Sequence, residues 1–338
     1  MPIKGKIEVQ PTSICNNRCG YCVGAGLFPK KTASLSKEAL VSVAREVSRT
    51  GIMSDIKLVV ISGMLGEPLL NPHTIDFMRE LKDGPSVRQH IGLYTNGTRL
   101  DKEVSTVLVS ENRIGDYVNI HLSAHPWTAS KEYREIHGAS PWFQGLRVLN
   151  NIEALTNLKE QRNSMLFIRI NFLATAHNSA DLKMLERSLK RLKGLGVDAI
   201  RVSVPIETRF SPIEKGYFLN EEQVAQLEQF EDTAPEAASK VVVMSERLMK
   251  VTWGKNPYTR CFVKDNAIVI SPDGFATPCC WTTYPSFPKR GGKVSEGIAR
   301  LMEKMRGNKF DPREICPPCS RTDHDFNRRE TSKAKSSK

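Results

Sequence analysis

Lys6-Ile7-Glu8-Val9-Gln10-Pro11-Thr12-Ser13-Ile14-Cys15-Asn16-Asn17-Arg18-Cys19-Gly20-Tyr21-Cys22 reads as a short strand running into a loop that carries three cysteines. Three residues separate Cys15 from Cys19, and two separate Cys19 from Cys22. Three thiolates on one loop can wrap a cubane iron–sulfur cluster, and they leave one iron without a protein ligand. An open metal position is where a substrate or cofactor binds. A zinc loop and a redox pair are the alternatives. Structural zinc wants four ligands, and the next histidine, His73, lies in a different unit. A thioredoxin-type pair has no use for the third cysteine.

Outward from this loop the chain alternates between strand and helix. Strands are predicted at Lys6–Gln10, Lys57–Ser62, His90–Thr95, Tyr117–Leu122, Met165–Leu173 and Asp198–Val204, all short and rich in Val, Ile and Leu. Ser36 can cap a helix whose apolar face is Leu40, Val43 and Val47. Leu182, Leu185, Leu189 and Leu192 repeat at helical spacing up to Gly194. Such alternation implies right-handed crossovers and a parallel sheet. Six units are too few for an eightfold barrel, so the expectation is α/β, a partial (β/α)6 TIM-like barrel, with functional residues at the strand C-terminal ends.

The three-cysteine motif, with an aromatic before its last cysteine, resembles the radical S-adenosylmethionine (SAM) superfamily. Gly66-Glu67-Pro68 after the second strand resembles the superfamily's GGEP motif, which holds the methionine amino group; Leu65 stands where the first glycine is usual. Tyr94-Thr95-Asn96-Gly97 resembles its TNG segment. Ser123 ends the fourth strand, Asn178 follows the fifth, and Val202 lies on the sixth, where adenine usually packs. The resemblance covers roughly residues 5–210. It implies SAM bound through the open iron, one-electron cleavage to methionine and a 5′-deoxyadenosyl radical, and Tyr21, Gly66, Glu67, Pro68, Asn96, Ser123, Asn178 and Val202 as cofactor contacts. Tyr21 can equally be a core aromatic, and Glu67 a helix N-terminal charge beside Pro68.

The remaining five cysteines are Cys261, Cys279, Cys280, Cys316 and Cys319. Ala267–Ser271 and Phe275–Thr277 read as a hairpin turning at Asp273-Gly274, which brings Cys261 and Cys279 to neighbouring ends. A zinc ribbon is a rival reading of paired cysteines. Beside the first motif, the pattern resembles the twitch domain, the shortened form of the SPASM domain. That resemblance implies one auxiliary 4Fe–4S cluster on Cys261, Cys279, Cys316 and Cys319, hence two 4Fe–4S clusters in all. Cys280 is left over; a buried thiol and a hydrogen-atom donor are both open. Related epimerases of the neomycin C epimerase kind use a cysteine as donor. Dehydrogenases of the 2-deoxy-scyllo-inosamine kind instead pass the second electron to the auxiliary cluster.

The expected domains are a barrel over 1–215, a connecting helical segment over 216–260, a small C-terminal iron–sulfur (twitch) domain over 261–325 and a disordered basic tail over 326–338. Lysine and arginine exceed aspartate and glutamate by 49 − 37 = 12. The tail holds part of that excess, and the rest reads as solvated helix faces, so nucleic acid is an unlikely partner. No apolar run reaches membrane-span length and the N-terminus lacks a signal-peptide core, which points to the cytoplasm and no membrane. Composition otherwise fits a globular chain, with 40% hydrophobic and 25% charged residues. The expected substrate is a small polar metabolite of sugar, aminocyclitol or nucleoside type, with a reducing partner such as flavodoxin or ferredoxin. The best expectation is redox-neutral epimerisation with Cys280 as donor. Dehydrogenation, carbon–carbon coupling on a nucleotide sugar, and peptide or RNA modification are the alternatives. His125, Trp127 and Arg169 are candidate substrate contacts.

Overall fold

The computed structural model describes residues 5–22, 32–48, 56–63, 66–83, 90–110, 115–123, 125, 129–138, 144–204, 215–233, 240–241, 261, 263–279 and 291–307. Its strands are β1 (Lys6–Val9), β2 (Leu58–Ile61), β3 (His90–Thr95), β4 (Tyr117–His121), β5 (Phe167–Leu173), β6 (Ala199–Ser203), β7 (Lys240–Val241), β8 (Ala267–Ile270), β9 (Phe275–Thr277) and β10 (Gly292–Lys293). The helices between them are α1 (Lys37–Ser48), α2 (Thr74–Asp83), α3 (Lys102–Val109), α4 (Ala129–His137), α5 (Gln144–Gln161), α6 (Leu182–Lys193) and α7 (Glu221–Thr233). A short α8 (Val263–Asn266) and α9 (Ile298–Gly307) follow.

The sheet order is β10-β9-β8-β1-β2-β3-β4-β5-β6-β7, and every pair from β8 to β7 is parallel. The six expected strands form in sequence order and make the partial barrel. One of its faces is apolar throughout. Val9, Ile61, Leu93, Ile120, Ile170, Val202 and Ile270 are buried there in a single core with α1, α2, α3, α5 and α6. Burying each such side chain contributes about 1.5–3 kcal/mol. The helices obey their patterns: Leu185, Leu189 and Leu192 of α6 are buried, while Asp181 caps its N-terminus by accepting from the N–H groups of Lys183 and Met184.

The other face differs from a doubly buried parallel sheet. Register places Glu8, Tyr94, Asn119, His121, Arg169, Asn171, Arg201 and Ser203 together on the concave side. These strands therefore alternate, apolar toward the helices and polar toward the lumen.

The C-terminal hairpin forms as expected. Gly274 takes φ +78° and donates its N–H to the Ser271 carbonyl at 2.9 Å, which a side chain at that position would strain. β8 joins β1 in parallel, so this hairpin extends the barrel's own sheet. Glu46 of α1 accepts the Ile298 N–H at 2.6 Å and anchors the first turn of α9 to the barrel.

Candidate active site

Everything around the three-cysteine loop serves to hold it at the C-terminal end of β1. Gly66 lies against its backbone: a Cβ there would meet the carbonyl oxygens of Thr12 at 2.5 Å and Ile14 at 2.7 Å. The next residue, Glu67, donates its N–H to the Ile14 carbonyl at 2.8 Å. Its carboxylate, only 2% exposed, accepts from the Thr95 hydroxyl and the Asn96 N–H, each at 2.7 Å, and from the Leu69 N–H at 3.2 Å. The Asn96 amide then donates to Asn16 Oδ1 at 2.9 Å, and Asn16 donates to the Thr98 hydroxyl at 2.8 Å. Gly-Glu-Pro and Thr-Asn-Gly are thus one buried network between β2, β3 and the loop, with Pro68 opening a single 3₁₀ turn. Met64 and Leu65 lie outside the described residues.

The loop's far side rests on the end of α4. Arg18 and Gly20 donate their N–H groups to the carbonyls of His137 at 2.7 Å and Ile136 at 3.3 Å. The buried His137 ring reaches Cys19 Sγ at 3.3 Å and Tyr21 Oη at 3.2 Å through Nδ1. At Nε2 it meets the Ser123 N–H at 3.4 Å. A backbone N–H can only donate, so Nε2 carries the lone pair and the proton sits on Nδ1, facing the sulfur. Burial, with His121 adding to it, pulls this imidazole down to about 3, so the ring is neutral.

Tyr21 stands edge-on to His137 and to Tyr217, and its hydroxyl contacts Ser123 at 3.4 Å. The Ser123 hydroxyl also accepts from the Leu173 N–H at 3.1 Å. Asn178 is buried and bridges the ends of β4 and β5, donating to the carbonyls of Ser123 at 2.6 Å and Leu173 at 2.9 Å. Two expected contacts do not face the lumen. The Val202 side chain belongs to the helix-side core, because its register partner Phe172 points that way. Only the backbone there is available to an adenine. His125 is wholly buried on the same side, bonded to Ser188 of α6 and tilted against Phe172, so it faces the helix layer and not a substrate. Trp127 lies outside the described residues.

Arg169 does face the lumen and donates through Nε to Asn119 at 2.9 Å. Beside it stand His121, which contacts the Asn119 and Asn171 amides at 3.2 Å each, and Tyr94, packed edge-on against Tyr117. His121 is exposed although it stands inside the sheet's curve, so the lumen is open. Desolvation by the surrounding barrel wall, then the charges of Arg169 and Arg201, pull it down to about 4. The sequence reading selected Arg169 alone. The two-residue alternation of Tyr117-Val118-Asn119-Ile120-His121 and Ala199-Ile200-Arg201-Val202-Ser203 was the signal for the rest.

Residues 9–158 match the family model of the radical SAM superfamily. Over that stretch the chain resembles the superfamily. Curated relatives are GTP 3′,8-cyclases: that of Cronobacter sakazakii is 32% identical over 101 residues, 29% of each chain. The Synechocystis enzyme is 31% identical over 120 residues, 35% of this chain and 33% of its own. The matched stretch thus spans about a third of those relatives. Among solved structures, Streptococcus suis SuiB bound to S-adenosylmethionine superposes with a TM-score of 0.63 at 14% identity, over 92% of this chain and 67% of SuiB. Native anSMEcpe with bound AdoMet gives 0.60 at 17%, over 96% and 83%. At such identity these two establish the shared fold, a partial barrel.

Radical SAM domains imply SAM and a 4Fe–4S cluster, and the donors here fit that group. Cys15 is exposed, with Cys19 and Cys22 half-buried on the same loop. Burial, then the nearby Cys22 and Cys15, push the Cys19 thiol far above its ordinary range. Three thiolates that oppose one another's ionisation are a set that a cationic group relieves. Two of the sulfurs already face N–H donors, Cys15 from Asn17 at 3.4 Å and Cys19 from His137, as cluster thiolates do.

Of the second cysteine group, Cys261 and Cys279 lie within the described residues; Cys280, Cys316 and Cys319 lie outside them. Thr277 pairs with Val269, so two residues further on Cys279 returns to the level of Ala267, beside Lys6 at the start of β1. Register sets Cys279 at the opposite, N-terminal end of the lumen, because β8 runs parallel to β1 and the hairpin reverses beyond it.

Glu67 gives a testable pH effect. Burial pushes its carboxyl up to about 7, with the bonds from Asn96, Thr95 and Leu69 pulling the other way. Between about 4.5 and 7 the folded chain holds a proton that the unfolded chain has lost, so stability falls as pH rises through that window and levels off above it. The full effect is about 3 kcal/mol. In Glu67→Gln this fall should vanish, while the amide set against the Asn96 N–H costs about 1–3 kcal/mol. Urea melts of metal-free protein at several pH values measure both; an unchanged slope in the variant would assign the titration to other groups.

Proposed function

We propose that this chain is a radical SAM enzyme that takes a hydrogen atom from a carbon of a small polar metabolite. The observation that carries the reading is the three-cysteine loop, clamped by Glu67, Asn96 and His137 at the end of β1 that adjoins an open polar lumen. When bound, a reduced cluster with SAM supplies the one-electron cleavage that makes a carbon-centred radical. Cys15, Cys19 and Cys22 would ligate it, and His137 would donate to the Cys19 sulfur. Tyr21, Gly66, Glu67, Asn96, Ser123 and Asn178 would border SAM, and the Glu67 carboxylate would also position the loop through its bonds to Thr95 and Asn96.

For the fate of the substrate we favour redox-neutral epimerisation. Cys280 would break its S–H bond and give the hydrogen atom to the substrate carbon. The thiyl would then regain an electron from the external reductant and a proton from solvent. An auxiliary cluster on Cys261, Cys279, Cys316 and Cys319 would stand at the far end of the lumen, with the substrate between the two groups. The second reading is carbon–carbon coupling on a nucleotide, favoured by the GTP 3′,8-cyclase relatives and by the basic lumen. Dehydrogenation, with the auxiliary cluster as electron acceptor, is the third.

The test is anaerobic reconstitution with S-adenosylmethionine, dithionite and candidate sugars or nucleotides, read by mass spectrometry. 5′-Deoxyadenosine with a product of unchanged mass supports epimerisation. A product two hydrogens lighter supports dehydrogenation, and a cyclised nucleotide supports coupling. Absence of 5′-deoxyadenosine from a cluster-loaded protein rejects the radical reading.

A further inference from the structure

The end of α4 sets one ring against the three-cysteine loop, and the contacts of that ring fix its orientation. His137 is 1% exposed. Tyr133, one turn earlier on α4, lies against it at 4.3 Å between ring centroids, and the Tyr133 hydroxyl accepts from the Asn17 amide of the loop at 3.2 Å. Tyr21 meets the ring edge-on at 5.8 Å. Gly138 follows the helix with φ +55°, and a Cβ there would fall 2.2 Å from the Arg18 carbonyl oxygen. Helix end and loop therefore touch main chain to main chain, which only glycine allows.

The two ring nitrogens have opposite roles. Nε2 accepts the Ser123 N–H at 3.4 Å, so the proton of the neutral ring stands on Nδ1. Nδ1 lies 3.3 Å from Cys19 Sγ and 3.2 Å from Tyr21 Oη. The Tyr21 hydroxyl has its own acceptor in Ser123 Oγ, at 3.4 Å. A ligating thiolate is charged, and bonds to charged acceptors are about twice as strong as neutral ones, so the sulfur outcompetes the phenol oxygen for this N–H. The donor also comes from outside the loop. His137 lies 118 residues from Cys19, whereas Cys15 takes an N–H from Asn17, two residues on.

We infer that His137 is a positioning residue that raises the reduction potential of the iron–sulfur group on Cys15, Cys19 and Cys22, by donating its Nδ1–H to the Cys19 sulfur. The inference rests on the radical SAM reading and deepens it. Hydrogen bonds to ligand sulfurs help to set cluster potentials. The sign follows from charge. One electron from the external reductant leaves more negative charge on the thiolates, so an N–H aimed at one of them favours the reduced form. The proton stays on Nδ1 throughout.

Substitutions at 137 separate the two nitrogens. His137→Asn keeps an amide N–H near the Nδ1 position and no acceptor for Ser123. His137→Gln reaches the Ser123 N–H with its amide oxygen and leaves no donor at the sulfur. His137→Phe removes both and keeps a ring against Tyr133. The reconstituted proteins are titrated redox-potentiometrically by EPR, with S-adenosylmethionine added to mark the signal of this site. Gln and Phe should lower the reduction equilibrium about tenfold, which is about 59 mV for one electron, and Asn should stay close to wild type. Iron content and thermal melts check loading and folding. If a variant fails to load, the wild type carries the test. Pulsed EPR on protein made with isotopically labelled histidine should show a histidine nitrogen coupled to the reduced group, distinct from the unlabelled amine of SAM. Three results overturn the inference: unchanged potential in both Gln and Phe, an Asn potential as low as that of Phe, or no histidine coupling in the wild type. A wild type that loads iron and takes an electron, yet makes no 5′-deoxyadenosine, would instead strike the radical reading and leave the potentials standing.

Discussion

Cys19→Ala should abolish reductive cleavage of S-adenosylmethionine while the barrel still folds. Cys19 is the middle cysteine of the loop and the one whose sulfur faces the His137 Nδ1–H. Removing it leaves two thiolates, which cannot hold a cubane with one open iron. Loss of an outer-shell partner alone typically costs 10–100-fold in metal affinity, so loss of a ligand should cost at least about 100-fold. The fold should survive because the loop's anchors do not use this side chain. Glu67, Asn96 and Asn16 grip it from one side, and the Arg18 and Gly20 N–H groups grip the α4 carbonyls from the other. Iron content, the visible absorbance of the reconstituted protein and 5′-deoxyadenosine yield measure the effect. A variant that keeps full iron at this site and full cleavage would show that Cys19 is no ligand.

Gly66→Ala should be nearly as damaging by a different route. The added methyl would fall 2.5 Å from the Thr12 carbonyl oxygen and 2.7 Å from that of Ile14. Both obstacles are main chain, so no side-chain rotation relieves the contact. Either β2's following turn or the segment entering the cysteine loop must shift. Overpacking of this kind costs about 1–3 kcal/mol. The functional loss should be larger, because Glu67 and Ile14 share a hydrogen bond and Cys15 directly follows Ile14. A displacement of about 1 Å at a reacting centre can cost about a hundredfold in rate. The expected pattern is a modest fall in melting temperature with a severe fall in cleavage per bound iron. Normal turnover in the alanine variant would mean that the loop tolerates displacement, and that the close approach of Gly66 is incidental.

The first of these changes was legible in the chain alone; the second was legible only in part. Cys15, Cys19 and Cys22 declare themselves by spacing, since one loop must reach round one cluster. Gly66 could be matched to a motif, yet its contact with Thr12 and Ile14 lies across more than fifty residues of chain. Glu67 shows the same limit. Its motif suggests a cofactor contact, and only the structure shows that its buried carboxylate also accepts three hydrogen bonds joining the turn after β2 to the end of β3.

The sequence by itself determined the six strands, the intervening helices, the Asp273-Gly274 hairpin and the three-cysteine loop. Each of these depends on neighbours within a few residues, through alternation, helical spacing, caps and turn chemistry. Tertiary structure decided which strand faces meet. Only strand register set Arg169 and Arg201 on one wall, turned Val202 away from the lumen, and carried Cys279 to the end opposite Cys15. Only the packing of α4 brought His137 to Cys19, 118 residues away in the chain. The physical reason is that a local pattern tells which residues share a face, whereas the partners of that face follow from how the whole sheet closes.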